Sequence, residues 1–137
     1  MSSTLPLSVC LIVRDEEARL ATAISSVSGV AGEVVVVDTG SRDRTKQIAQ
    51  QLGARVLSFD WQDDFSMARN VALGAARRDW ILSLDADQQL EAMSVPALAN
   101  ALLRPALAQL VQIDLMGENP GQPPVSSFPS LRLFRRD

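Results

Sequence analysis

Apolar residues fall into short runs along the chain, and these runs alternate with stretches at helical spacing. Residues 7–13 form an apolar run broken only by Ser8, and residues 33–38 contain four consecutive valines. Such continuous runs are typical of parallel strands buried on both faces. Shorter runs predict four further strands, at residues 54–59, 80–84, 107–115 and 130–134.

Between these runs, apolar side chains recur every three or four positions. This spacing predicts helices at residues 16–28, 41–52, 66–77 and 94–103. Ser41 is the expected N-cap of the second helix, and Gly53 fits the position just after its end. Glu16 and Glu17 are expected in the first turn of the first helix, where negative charge favours the helix dipole.

Alternating strands and helices predict one α/β domain over residues 1–137, with a mostly parallel sheet covered by helices on both faces. Right-handed crossovers then place the ends of the first, second and fourth strands at one edge. Ligands of such sheets bind at the carboxyl ends of strands. Residues 117–127, rich in proline and glycine, are expected to form a loop.

Composition narrows the chemistry. The chain is 47% hydrophobic and 21% charged, with a net charge of −3, and its charges are interspersed, so no nucleic-acid-binding surface is predicted. It contains no histidine and one cysteine, Cys10, which is expected to be a buried thiol. Acid–base or metal chemistry must therefore rest mainly on carboxylates. No apolar run approaches the roughly 20 residues that span a bilayer, and no signal-peptide pattern opens the chain, so a cytoplasmic location is expected.

Polar clusters follow three of the predicted strands directly. They are residues 14–17, residues 38–41 and the segment Asp85-Ala86-Asp87. Two carboxylates one residue apart can hold a hard divalent cation, Mg²⁺ or Mn²⁺, which prefers oxygen ligands. The alternative is an ordinary acidic turn, and only the position after a buried strand brings the two readings level.

Other candidate residues also allow a purely structural interpretation. Asp38 could accept hydrogen bonds from a base or ribose, or it could cap the following turn. Arg69 could pair with phosphate or stack on a base, or it could be a solvated helix residue. Asp63 and Asp64 could simply serve the start of the third helix. Trp61 and Phe65 are expected to be packing residues.

Four ordered motifs resemble those of family 2 glycosyltransferases over nearly the whole chain. Residues 8–17, SVCLIVRDEE, resemble the opening strand and its Asn-Glu-Glu-like turn, with Asp15 where asparagine is common. Residues 34–45 resemble the second signature, residues 60–70 the approach to an Ala-Arg-Asn helix, and residues 80–87 the strand that carries the DxD motif. The resemblance implies a Rossmann-like GT-A sandwich that binds a nucleotide-diphosphate sugar, with UDP as the expected nucleotide.

The same resemblance implies individual roles. Asp38 would contact the base, and Arg69 would lie near the base and phosphates. Asp85 would approach the ribose or the metal, Mn²⁺ or Mg²⁺, and Asp87 would be its principal ligand. Val13 and Arg14, with Glu16 beside them, would line the nucleotide pocket. The sugar would pass to an acceptor hydroxyl with inversion, and the acceptor itself is unknown.

The chain also departs from the family pattern. Gln88 stands where an acidic residue is common. Residues 130–137 resemble the strand before the acceptor-binding half, so we expect a truncated fold in which that half is absent, and no catalytic base is identified. We therefore keep a second hypothesis, a nucleotide-binding module without transferase activity of its own.

Two other readings are weaker. A receiver-type phosphotransfer domain would need a lysine at a later strand end, whereas the only lysine is Lys46 in the second helix. A dinucleotide-binding domain would need a glycine-rich fingerprint after the first strand, and none is present. Loss of the acceptor half also predicts an uncovered sheet edge near Leu131 and Phe134, and self-association through it.

Overall fold

The computed structural model describes residues 4–61, 64–91, 94–103, 108–115 and 126–136, with backbone alone for residues 108–115 and 126–131. Six strands lie in these ranges, and all six predicted strands are among them. They are β1 (Leu5–Val13), β2 (Ala31–Asp38), β3 (Arg55–Ser58), β4 (Trp80–Ser83), β5 (Ala108–Leu115) and β6 (Ser126–Arg135). The predicted loop at 117–127 overlaps the start of β6, and its residues 117–125 lie outside the described ranges.

Four helices connect the strands, and they are shorter than their spacing predicted. They are α1 (Leu20–Val27), α2 (Thr45–Gln51), α3 (Phe65–Ala75) and α4 (Val95–Ala101). Asp64 caps α3 by accepting a hydrogen bond from Ser66 N at 2.9 Å, which is the role at the start of the third helix that was predicted for it. Gly53 follows α2 with a φ of +87°, the left-handed conformation that commonly ends a helix.

Two predicted helix starts are wrong. Ser41 does not cap α2, because its hydroxyl accepts a hydrogen bond from Asp15 N, while Thr45 N donates to Asp43. Glu16 and Glu17 precede α1, which begins at Leu20. In both places the polar residues bind a neighbouring loop instead of beginning a helix.

The strands form one sheet in the order β3-β2-β1-β4-β6-β5. β3, β2, β1 and β4 run parallel, and β6 is antiparallel to both β4 and β5. The predicted mostly parallel sheet is therefore confirmed. The carboxyl ends of β1, β2 and β4 meet at one edge, as the crossover rule requires.

Side chains alternate between the two faces of the sheet and make two cores. One face packs against α1, α2 and α4 through residues that include Leu11, Leu20, Ile24, Trp80 and Leu98. The opposite face packs against α3 through residues that include Cys10, Val35, Val37, Ala68, Ala72 and Ile81. The small alanines of α3 let this helix lie close to the sheet. Helices thus cover both faces, as the pattern predicted.

The expected open edge at Leu131 and Phe134 is absent. β6 lies between β4 and β5, where Leu131 pairs with Leu110, and Phe134 pairs with both Ile81 and Ala108. Hairpin-like pairing with β5 therefore covers the edge that the prediction left uncovered. Self-association itself stays a prediction without support from this feature.

Glu33 ties several elements together at the opposite, amino-terminal edge. Its carboxylate accepts hydrogen bonds from Ser8 Oγ at 2.6 Å, from Arg77 N at 2.5 Å and from Arg55 Nη1 at 3.0 Å. Burial acts to raise the pKa of Glu33, but these hydrogen bonds and the charge of Arg55 together hold that pKa below its ordinary value. This edge is thus a structural junction.

None of the described helices has both the length and the apolar character needed to cross a membrane.

Candidate functional site

The β1–α1 turn and the β2–α2 turn are joined by hydrogen bonds at the carboxyl edge of the sheet. Asp15 has a positive φ of 51°, and it both donates and accepts hydrogen bonds across to the other turn. Five bonds connect the turns: Asp15 N to Ser41 Oγ, Arg42 N to Asp15 Oδ1, Glu16 N to Thr45 Oγ1, Glu17 N to Asp43 Oδ2, and Arg44 N to Glu17 Oε2. The hydrogen bond from Thr45 Oγ1 chiefly lowers the pKa of Asp43. The two loops therefore form one preorganised rim.

Asp38 lies at the base of this rim and is 2% exposed. It pairs in register with Val13 of β1 and Ser58 of β3. Its Oδ1 accepts hydrogen bonds from Gly40 N at 3.0 Å and Ser41 N at 2.9 Å, so the turn-capping reading is correct for that oxygen. Gly40 has a φ of +117°, a conformation that a side chain would strain.

The other oxygen of Asp38, Oδ2, is buried and has no hydrogen-bond partner among the described residues. An unpaired buried oxygen is costly, since it has lost its water without gaining a donor. The backbone holds the carboxylate in place through Oδ1, so Oδ2 cannot turn to solvent without breaking those bonds. A ligand N–H group would satisfy it.

A second feature of the same edge is a pocket between the sheet and α3. Its lining includes Ile12 of β1, Ser83 and Asp85 at the end of β4, and Phe65 and Arg69 of α3. Arg69 is exposed, and its guanidinium lies over the Phe65 ring, 5.4 Å from the centroid. Phe65 is 49% exposed, so its prediction as a packing residue is wrong: it supports Arg69 at the pocket instead.

The Asp85-Ala86-Asp87 segment turns sharply after β4. Gln88 Oε1 accepts a hydrogen bond from Asp85 N, and Gln88 N donates to Asp85 O, both at 2.9 Å. Ala86 is 6% exposed and anchors the turn, while both aspartates are exposed. Gln88 thus closes the turn without adding negative charge where the family often has an acid.

Asp85 has a partner that the sequence patterns did not reveal. Arg132 of β6 reaches its carboxylate with Nη1 at 3.3 Å from Oδ1 and Nη2 at 3.4 Å from Oδ2. In the sequence, Arg132 stands out only as a basic residue between two leucines of a predicted strand. That this strand lies beside β4 follows from the order of the strands in the sheet, which the sequence patterns do not give.

The predicted site residues do not all meet in one pocket. Arg69 and Asp85 line the α3-side pocket, and Asp87 shares the Asp85 turn. Val13 and Asp38 are register partners one strand further on. Arg14 is exposed, and the Glu16 carboxylate pairs with Arg19 at 2.8 Å. All of them nevertheless lie at the same carboxyl edge of the sheet.

Cys10 lines the pocket from β1 and is 5% exposed. Burial, with a smaller contribution from the charge of Glu33, raises the pKa of its thiol from 9.0 to about 12. The buried thiol expected from the sequence is confirmed.

This pKa predicts slow chemical labelling. We expect Ellman's reagent at pH 8 to react with native Cys10 about a thousandfold more slowly than with the denatured chain, since only the thiolate reacts. The thiol has a pKa of 9.0 in the unfolded chain and of about 12 in the native one, so the free energy of unfolding should fall as pH rises through this window. Equal labelling rates with and without denaturant would contradict the burial of Cys10.

Comparison with known proteins agrees with this architecture. The structure of glucosyl-3-phosphoglycerate synthase from Mycobacterium tuberculosis bound to UDP superposes with a TM-score of 0.69 at 25% identity, covering 95% of this chain and 56% of that one. A complex of the same enzyme with Mn²⁺, UDP and glucosyl-3-phosphoglycerate gives a TM-score of 0.62 at 29% identity, covering 76% of this chain and 42% of that one. The fold is therefore that of the GT-A glycosyltransferases.

The family follows from the sequence itself. Residues 8–136 match the model of Glycosyl transferase family 2, and the chain belongs to that family. An uncharacterized glycosyltransferase of Rickettsia felis is 42% identical over 84 residues, 61% of this chain and 29% of that protein. A TPR repeat-containing protein of Synechococcus elongatus is 55% identical over 84 residues, 61% of this chain and 21% of that protein. The chain matches less than a third of the length of these two curated relatives.

Proposed function

We propose that this chain binds a uridine-diphosphate sugar as the donor part of a glycosyltransferase. The observation that carries the proposal is Asp38, whose Oδ1 is fixed by the turn while Oδ2 is buried without a partner among the described residues. The N3–H group of uracil is a donor of the required kind. That similar solved proteins were captured with UDP supports this choice of nucleotide.

Asp85 and Asp87 are proposed to hold the divalent cation. Their two exposed carboxylates offer oxygen ligands, which fit Mg²⁺ or Mn²⁺. In the described part of the chain no group of three or more His, Cys, Asp and Glu side chains is arranged so that it could hold a metal ion. A cation here would therefore complete its coordination with phosphate oxygens and water, as Mg²⁺ commonly does. Solved relatives that hold Mn²⁺ together with UDP favour this arrangement.

The remaining roles follow from position. Val13 and Arg14 would line the nucleotide beside Asp38, with Glu16 on the rim, and Arg69 would neutralise phosphate charge from α3. A bound cation would stabilise the negative charge that develops on the leaving diphosphate. The transfer itself would form a bond from an acceptor hydroxyl oxygen to the anomeric carbon, with inversion and with loss of the hydroxyl proton. The bond from that carbon to the diphosphate would break, and the diphosphate oxygen would keep its electron pair. We assign no catalytic base.

A second candidate function is donor binding without transfer by this chain alone. It is favoured by the alignment lengths, since the chain matches only 21% and 29% of the relatives described above. Both candidates place the same residues around the donor, so binding does not separate them and turnover does.

The experiment is a calorimetric titration of the 137-residue chain with UDP, with and without Mn²⁺, followed by a UDP-release assay on UDP-sugars with candidate acceptors. We expect UDP affinity to rise with Mn²⁺. Release of UDP would establish transferase or hydrolase activity, and metal-dependent binding without release would favour the binding module. Absence of both binding and release would refute the two candidates together.

A further inference from the structure

Arg132 occupies a position that the proposed roles above do not use. β6 carries it to the end of β4, where it contacts Asp85 with both terminal nitrogens. Leu133, the next residue, is 2% exposed and pairs with Leu82. The backbone beneath Arg132 is therefore anchored in the sheet, so its guanidinium is delivered to this place by a fixed strand.

The contact between Arg132 and Asp85 is long for its type. Its distances of 3.3 and 3.4 Å exceed the roughly 2.7–2.9 Å of a close charge-assisted hydrogen bond. The Arg132 side chain is 19% exposed and that of Asp85 is 51% exposed. A loose pair with one partner half in water is readily exchanged.

Arg132 borders the α3-side pocket through its contact with Asp85, which lines that pocket. It is the extra residue of β6 at the register shift against β5, between Leu131, which pairs with Leu110, and Leu133, which pairs with Gln109. Arg69 lines the pocket from α3. The guanidinium groups of Arg69, from α3, and of Arg132, from β6, thus both border the Asp85-Ala86-Asp87 turn.

The local charges have a simple balance. Asp85 and Asp87 contribute two negative charges, and Arg69 and Arg132 contribute two positive ones. A divalent cation and the doubly charged diphosphate of a nucleotide sugar can enter together without changing this sum. A planar guanidinium matches phosphate oxygens as well as it matches a carboxylate.

We propose that Arg132 is a diphosphate-binding residue that masks Asp85 until the donor arrives; this rests on the proposed function. Without a donor, Arg132 neutralises Asp85 and competes with a cation for its oxygens. When cation and diphosphate enter together, the carboxylate serves the cation and the guanidinium serves the phosphate oxygens. The same residue therefore opposes binding of the metal alone and favours binding of the nucleotide.

These two opposite effects give a distinctive test. Calorimetry would measure Mn²⁺ alone, and UDP in EDTA, on the wild-type chain, Arg132→Gln and Arg132→Lys. Arg136→Gln is the matched control, since Arg136 donates to the carbonyl of Arg78 and lies four residues further along. For Arg132→Gln we expect Mn²⁺ alone to bind about threefold more tightly and UDP in EDTA about tenfold more weakly, while Arg136→Gln changes neither.

The lysine variant keeps the test decisive if the glutamine variant does not fold, which thermal unfolding would show. Arg132→Lys retains the charge without the two-pronged fork, so it should keep the Mn²⁺ affinity of the wild type but bind UDP more weakly. Unchanged UDP affinity in both folded variants, or weaker Mn²⁺ binding alongside weaker UDP binding, would overturn the proposal. If the wild-type chain binds Mn²⁺ and UDP through Asp87 while the Arg132 variants match it, this inference alone fails. If the wild-type chain binds neither, the proposed function fails with it.

Discussion

Replacing Asp87 with alanine should remove the Mn²⁺-dependent part of UDP binding. Asp87 is exposed in the turn after β4, where it supplies one of only two carboxylates proposed for the cation. Losing one of two protein ligands leaves the cation held by Asp85, which Arg132 already contacts. We expect UDP affinity in the presence of Mn²⁺ to fall about 30-fold, roughly 2 kcal/mol, and affinity in EDTA to remain at the wild-type value.

Calorimetry would measure these UDP affinities, and two further variants make the result more specific. Asp87→Asn keeps the shape and one oxygen but loses the charge, and it should fall between alanine and the wild type. Glu91→Gln removes an exposed carboxylate four residues further on and should leave binding unchanged. A Mn²⁺ effect that survives in Asp87→Ala would contradict the assignment of Asp87.

Replacing Asp38 with asparagine should change which base the chain prefers. The amide oxygen can still accept from Gly40 N and Ser41 N, so the turn should persist. The amide nitrogen then takes the place of the unpaired Oδ2, which turns a buried acceptor into a donor. It would face the N3–H of uracil with another donor, a mismatch that costs about 1–3 kcal/mol. Cytosine, whose N3 is an acceptor, would suit it.

The measurement is a comparison of UDP and CDP binding on wild type and variant. We expect UDP to weaken by about 10- to 100-fold in Asp38→Asn, corresponding to roughly 1.4–2.8 kcal/mol, while CDP binding holds or strengthens. Asp79→Asn, at the opposite end of the sheet, is the matched control. Thermal unfolding guards against a general loss of structure. An unchanged ratio of UDP to CDP affinity would mean that Asp38 only caps its turn.

The strand and helix elements were predictable because their signals are local. Four consecutive valines made β2, and the apolar run at 80–84 made β4. Helix starts were less accurate. Ser41 was predicted as a cap from its neighbours, but Asp15, 26 residues earlier, donates to its hydroxyl. A competing partner from another loop is invisible to a reading of adjacent residues.

The candidate site likewise contains residues that the sequence could identify and residues that it could not. Asp38, Asp85 and Asp87 could be selected because each follows a strand, and strand ends of a parallel sheet share an edge. Arg132 and Phe65 could not. Arg132 reaches Asp85 across 47 residues, only because β6 returns antiparallel beside β4. Phe65 looked like a core residue until its ring proved to be half exposed beneath Arg69.

The amino-acid sequence by itself determined the α/β architecture, the parallel core strands and the acidic residues at their ends. Periodicity and crossover handedness are properties of neighbouring residues and of short connections. Only the tertiary structure decided that one oxygen of Asp38 is buried without a partner among the described residues, that β5 covers β6, and that Arg132 holds Asp85. Those facts depend on contacts between residues far apart in the chain, which exist only once the sheet has assembled.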